Sequence, residues 1–193
     1  MTLTPDLKNM VSPEMAEHLD VAAKQIWYWR RHLDCFIVDY LKLPLYDLQR
    51  LIIRQIGNCE DVNLALLRGF GKTYMLALAT AGLCLLYPGS PVIVVSNTAA
   101  QANLLLQKLQ NEIIPASPAL AAEIDYSPKH GIKINSNGRS YIYFKGGSRI
   151  QACVLGRDGS SSLGLRGKIV VVDESKLVAS SIINTVMRPI VSF

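Results

Sequence analysis

The chain has 193 residues, half of them hydrophobic and 18% charged, enough for one α/β domain with a buried core and unlike a disordered tail. Its formal net charge of +5 suits work near a polyanion, although the basic residues are scattered along the chain. The longest charge-free apolar stretch, 75–87, is too short to cross a bilayer, and no basic-then-apolar leader opens the N-terminus, so an intracellular protein with no membrane role is expected.

Cys35, Cys59, Cys84 and Cys153 show no C-x-x-C spacing, and Cys35 and Cys84 lie in apolar runs. That pattern points to buried free thiols in a reducing compartment, not to a disulfide framework. His18, His32 and His130 are far apart and lack metal-ligand spacing, so no zinc site is expected.

In chain order, residues 15–43 read as one helix. Ile26, Trp29, Leu33, Phe36, Ile37, Tyr40 and Leu41 recur at steps of three and four, and Pro44 ends the run. Trp27, Tyr28, Arg30 and Arg31 form an aromatic and basic cluster within it. Its simplest reading is an amphipathic helix packing on the core, with base stacking as the alternative. A short helix is expected over 46–56, then a short strand over 63–67 leading into a glycine turn. A helix over 73–86 is closed by Pro88-Gly89. Val92-Ile93-Val94-Val95, within a strand over 91–96, is unalternating and β-branched, as in a strand buried on both faces of a parallel sheet. Residues 98–114 read as a helix stopped by Pro115. This order of strands and helices argues α/β with right-handed crossovers.

The middle of the chain changes character. Residues 132–134, 140–144 and 149–155 read as short strands, with Asn137-Gly138 and Gly146-Gly147 as turns, which suggests an antiparallel insertion. Residues 156–167 read as a mobile Gly/Ser loop. A buried strand comes next over 169–172 and ends in Asp173-Glu174. A helix is expected over 180–188, before Pro189.

Two segments carry chemistry. Arg68-Gly69-Phe70-Gly71-Lys72-Thr73 sits between an expected strand and an expected helix. Glycines let backbone N–H groups approach phosphates, and the helix start adds unpaired N–H groups and its positive dipole end. Lys72 would reach the β- and γ-phosphates and the Thr73 hydroxyl would hold magnesium. Leu66 stands where the usual G-x-x-x-x-G-K-[ST] pattern has its first glycine, so the textual match fails and the placement carries the reading. Arg68 either touches the γ-phosphate or a coupling residue, or is a solvated loop arginine. The second segment, Ile169-Val170-Val171-Val172-Asp173-Glu174, delivers two acids to the C-terminal edge of a sheet, where ligands bind in open α/β folds. Asp173 would bind magnesium through its water shell, and Glu174 would orient and deprotonate the attacking water.

These motifs in this order resemble the large terminase subunits of tailed phages. The Arg-Gly-x-Gly-Lys-Thr form is similar to that family's deviant phosphate loop, and Tyr46-Asp47-Leu48-Gln49 resembles its glutamine motif. Ser96-Asn97-Thr98-Ala99-Ala100-Gln101-Ala102 resembles the segment after the second strand. Tyr-Ile-Tyr-Phe-Lys-Gly-Gly-Ser-Arg-Ile, 141–150, is similar to the strand-turn-strand before the loop, and Leu165-Arg166-Gly167 to the approach to the acidic motif. The likeness runs from about Pro44 to Ser175.

The resemblance implies a P-loop NTPase fold: an α/β, mainly parallel sheet flanked by helices, with the antiparallel insertion. It implies a helical segment over 1–45 and a partial ATPase domain over 46–193. The implied activity is hydrolysis of ATP with Mg2+ to drive double-stranded DNA into a procapsid. Gln49 becomes the adenine reader. Gln49, Arg68, Gly69, Phe70, Gly71, Lys72 and Thr73 become the nucleotide contacts, with Thr73 and Asp173 at the metal. Lys72, Glu174, Arg68 and Arg166 become the catalytic groups. Arg166 is the candidate arginine finger toward a neighbouring subunit; the stretch to Asp173 is shorter than is common in the family, which leaves Arg157 as the alternative. The implied partners are duplex DNA, a portal protein, a small terminase subunit and further copies in a ring, in host cytoplasm with transient docking on the procapsid. The family's later strands and nuclease domain would lie beyond Phe193, so the sheet is expected to be incomplete. A catalytically incomplete nucleotide-binding fragment and a helicase-like P-loop ATPase are the alternatives.

Overall fold

The computed structural model describes residues 12–67, 69–128, 130–135, 139–154 and 167–172. The β-branched run at 92–95 forms the centre of a five-stranded sheet, because it can be buried on both faces. The strands are β1 (Pro91–Ser96), β2 (Ile132–Lys133), β3 (Ser140–Tyr143), β4 (Arg149–Val154) and β5 (Ile169–Val172), in the spatial order β2-β3-β4-β1-β5. β1 pairs parallel with β4 and with β5, whereas β2 with β3 and β3 with β4 are antiparallel. The expected antiparallel insertion is thus part of the same sheet. β4 ends the antiparallel run and is also the parallel neighbour of β1, so the hairpin extends the edge of one mixed sheet.

Helices α1 (Pro13–Arg31), α2 (Asp47–Asn58), α3 (Lys72–Leu86) and α4 (Ala99–Lys108) complete the main architecture. α3 is the core helix: Met75, Ala77 to Leu83, Cys84 and Leu86 are all buried. Leu78, Val92, Val94, Leu106, Ile142, Ile150 and Ala152 share its hydrophobic cluster. Ile93 and Val95, on the other face of β1, are also fully buried. Gly82 allows the close approach of α3 to the segment after α1, since a Cβ there would meet Leu33 Cδ1 at 2.9 Å. None of the described helices is long and apolar enough to cross a membrane.

Three expectations change. The single helix over 15–43 is broken at His32, whose φ of −125° and ψ of 65° leave the helical region. A short turn, Leu33–Cys35, and a π-helical turn, Phe36–Tyr40, come after it and bury Leu33, Phe36 and Ile37, while α1 itself buries no residue. The periodicity continued across the break because both pieces carry apolar residues at helical spacing. Residues 63–67 form no strand. A strand exists only through a hydrogen-bonded neighbour, and apolar composition cannot supply one. Pro115 does not stop the helix over 98–114: α4 widens into a π-helical turn, Leu109–Ile113, and Pro115 enters the first turn of a short helix, Ile114–Ala116. The four cysteines are unpaired; Cys35 and Cys84 are buried, and burial pushes the Cys84 thiol up.

Candidate nucleotide site

The site is assembled by the direction of α3. Ser148 Oγ, immediately before β4, lies 2.8 Å from the Cys84 carbonyl and 3.1 Å from that of Tyr87, and accepts from the Ser90 N–H at 3.1 Å. The Gly89 N–H donates to the Gly146 carbonyl at 2.9 Å. These bonds pin the C-terminal end of α3 to the starting ends of β1 and β4, so the helix runs antiparallel to both strands. Its 15 residues span about 22 Å and the six of β1 about 20 Å. The N-terminus of α3, Lys72 and Thr73, thereby returns to the level at which β1, β4 and β5 end. The register confirms that these ends are level, with Val95 opposite Val172 and Ser96 opposite Val154.

The bend before α3 has the backbone that glycine favours. Gly69 has φ 87° and Gly71, the N-cap, has φ 82°. The Phe70 N–H donates to the Leu67 carbonyl, and the Met75 N–H to that of Gly71. Leu66, Phe70 and Tyr74 pack against the core and hold the bend from below. Among the described residues no side chain caps the start of α3, whose N-cap, Gly71, has none to offer. The first N–H groups of a helix have no intrahelical acceptors, so a half-buried, uncapped start behind a left-handed glycine has the donor chemistry for an anionic ligand.

Gln49 meets this bend from α2. Its Oε1 accepts from the Tyr46 N–H at 3.1 Å, and its Nε2 would lie 3.4 Å from a Cβ built on Gly71. The glutamine segment and the glycine bend, separate in sequence, are thus neighbours in space. α2 is fixed by an ion cluster that the sequence reading missed. Fully buried Asp34 accepts from Arg54 Nε and Nη2, both at 2.8 Å, and from Arg50 Nε at 3.3 Å. Burial alone would raise the Asp34 pKa; the two guanidiniums outweigh it and hold the carboxyl below its usual range. The available signal was a lone acid inside the apolar stretch 33–37, opposite arginines four residues apart.

At the end of β1, Ser96 Oγ donates to Gln101 Oε1 at 3.3 Å, and Thr98 caps α4 by accepting from the Gln101 N–H at 3.2 Å. This polar corner coincides with the segment Ser96 to Ala102 singled out in the sequence. Of the expected site residues, Gln49, Gly69, Phe70, Gly71, Lys72 and Thr73 are described and gather around the start of α3. Arg68, Arg157, Arg166, Asp173 and Glu174 lie outside the described residues, as do the loop over 156–166 and the helix over 180–188.

The fold is similar to solved ATPase domains of a phage large terminase. The ATPase domain of the large terminase from Thermus phage P74-26 superimposes with a TM-score of 0.56 at 15% identity, covering 79% of this chain and 62% of that one. An arginine-to-alanine mutant of the same domain gives 0.59 at 16% identity with the same coverage. This chain therefore spans less than two thirds of the length of those domains. No protein-family model and no curated protein matches the sequence.

Proposed function

We propose that the chain is the nucleotide-hydrolysing part of a phage DNA-packaging motor, and that residues 46–193 form its partial ATPase domain behind a helical segment over 1–45. The observation that carries this reading is the left-handed glycine bend at Gly69 and Gly71. It opens the core helix at the ending edge of the parallel strands, with Gln49 alongside. The similarity of fold to a terminase ATPase domain supports the choice among P-loop activities.

Each residue then has a distinct task. The N–H groups at the start of α3 and the Lys72 ammonium hold phosphate oxygens, and Lys72 neutralises charge on the leaving group. Gln49 reads the adenine edge, with Tyr46 orienting its amide. Thr73 and Asp173 would hold magnesium, which when bound shields the phosphate charge. Asp173 and Glu174 directly succeed Val172, whose partner Val95 lies at the same sheet edge. Glu174 takes the proton of the attacking water. Arg68 touches the γ-phosphate side, and Arg166, or Arg157 in its place, acts on the nucleotide of a neighbouring copy. Duplex DNA, a portal protein, a small terminase subunit and a ring of copies in host cytoplasm complete the proposal.

The test is ATP turnover by this chain, with and without duplex DNA, beside Lys72→Ala and Glu174→Ala. Loss of turnover in both, with ATP binding retained only in Glu174→Ala, is expected. Normal turnover in Glu174→Ala removes that residue from the mechanism. Nucleotide binding without any turnover favours the non-catalytic alternative. Strand unwinding would point to a helicase.

A further inference from the structure

The basic residues are spread along the chain, but the net positive charge is concentrated in one segment. Between Asp125 and Asp158 there is no acidic residue, while Lys129, Lys133, Arg139, Lys145, Arg149 and Arg157 all fall there. Those six charges exceed the net +5 of the whole chain, so all other residues together sum to −1. The segment's described residues include β2, β3 and β4.

Strand alternation decides where the charge goes. In β3, Ser140 and Ile142 are buried toward the helices, and Tyr141 and Tyr143 take the other face. Lys133 and Gln151 are the cross-strand partners of Tyr141, and Arg149 that of Tyr143. Arg139 directly precedes Ser140, so the alternation of β3 carries it to the face of Tyr141 and Tyr143. His130 stacks on Tyr143 at 4.4 Å, and its ring nitrogen pairs with Asp125 at 2.6 Å. Asp125, the acid that precedes the segment, is thereby engaged by a histidine, and Lys133, Arg139 and His130 are exposed while Arg149 is half-buried.

We propose that the outer face of β2 and β3, with half-buried Arg149 at the start of β4 and up to buried Gln151, binds the sugar-phosphate backbone of duplex DNA, with Lys133, Arg139 and Arg149 as the phosphate contacts. The proposal rests on the motor reading for its biological meaning, and on charge complementarity for its chemistry. The rings argue for backbone contact and against base stacking. One face of Tyr143 is covered by His130, its neighbour Tyr141 meets it edge-on at 5.1 Å, and Lys133 sits over Tyr141 at 5.7 Å. A single strand bound by stacking needs open ring faces, whereas this surface presents hydroxyls and cations.

The experiment is fluorescence anisotropy with a short mixed-sequence duplex and the matching single strand, without nucleotide, over a salt series. Lys133→Ala/Arg149→Ala is compared with Lys24→Ala/Arg31→Ala, which removes equal charge from α1. Lys133→Gln/Arg149→Gln, which keeps the aliphatic stems, guards against misfolding. Loss of two phosphate contacts should lower the slope of log affinity on log salt by about 1.8 and weaken low-salt binding on the order of ten-fold. A drop no larger than that of the α1 pair, or tighter binding of the single strand, overturns the proposal. The two readings fail separately. Loss of duplex binding in a protein that never turns over ATP keeps the face and sinks the motor. DNA-stimulated turnover with an unchanged salt slope keeps the motor and sinks the face.

Discussion

The parallel and antiparallel halves of this sheet use β structure in different ways. In β1, both faces are buried, and Ile93 and Val95 are as inaccessible as Val92 and Val94. Such strands can offer function only at their ends, and there the start of α3, the Ser96 corner and the end of β5 converge. In β3, one face is buried and the other carries tyrosines beside lysine and arginine. That half offers a surface. The difference arises from the covering of each strand: parallel strands need helical crossovers and lose both faces to packing, while a hairpin at the sheet edge keeps one face wet.

If the contrast is right, substitutions should separate chemistry, core and surface. The largest effect is expected at the converging ends: Lys72→Ala should reduce ATP turnover by at least about 100-fold, read in a steady-state phosphate-release assay, with little change in the melting temperature. Ile93→Ala, in the twice-covered strand, should cost about 2–5 kcal/mol of stability by urea denaturation, enough to threaten folding. Asp34→Asn should cost about 1–2 kcal/mol, less than a fully enclosed ion pair because both arginines are more than a third exposed. Its pH dependence has a definite sign. A carboxyl whose folded pKa is depressed stabilises above its ordinary value near ~3.9 and loses that contribution as pH falls through the lower folded value. Wild type should therefore approach Asp34→Asn in stability only in acid, as measured by thermal melts across a pH series. The smallest effect belongs to the wet face: Lys133→Ala should shift stability by no more than about 0.5 kcal/mol. A large loss there would mean that the face is covered.

The two glycines of the bend sharpen the same contrast. A Cβ on Gly69 meets nothing within 4 Å, and one on Gly71 meets Gln49 Nε2 at 3.4 Å. Both positions have positive φ, so each alanine variant should lose about 1–2 kcal/mol from backbone strain. Both variants should also weaken nucleotide binding beyond that, because a Cβ at either position enters the bend where phosphates would approach the backbone, as read by calorimetry with a non-hydrolysable ATP analogue.

Much of this was legible in the residues. The β-branched run at 92–95, the apolar helix behind Lys72 and the Gly146-Gly147 turn are local signals, and local sterics and burial sufficed to read them. The break at His32 and the π-helical turn before Pro115 were not legible, because each is a compromise between a continuing apolar stripe and the packing of the next segment of chain. Residues 63–67 misled for the opposite reason: their composition suits a strand, but pairing depends on a neighbour that composition does not name.

The sequence by itself determined the chemistry on offer: a glycine bend with Lys72 and Thr73, a glutamine motif, an acid pair after an apolar run, and a block of uncompensated positive charge. Tertiary structure decided which of these meet. It set Gln49 against Gly71, ran α3 back along β1 so that its start reaches the strand ends, and turned the basic residues of β2 and β4 onto one face with Tyr141 and Tyr143. The physical reason is that residue type sets what a side chain can do, while strand register and helix direction set what it can reach.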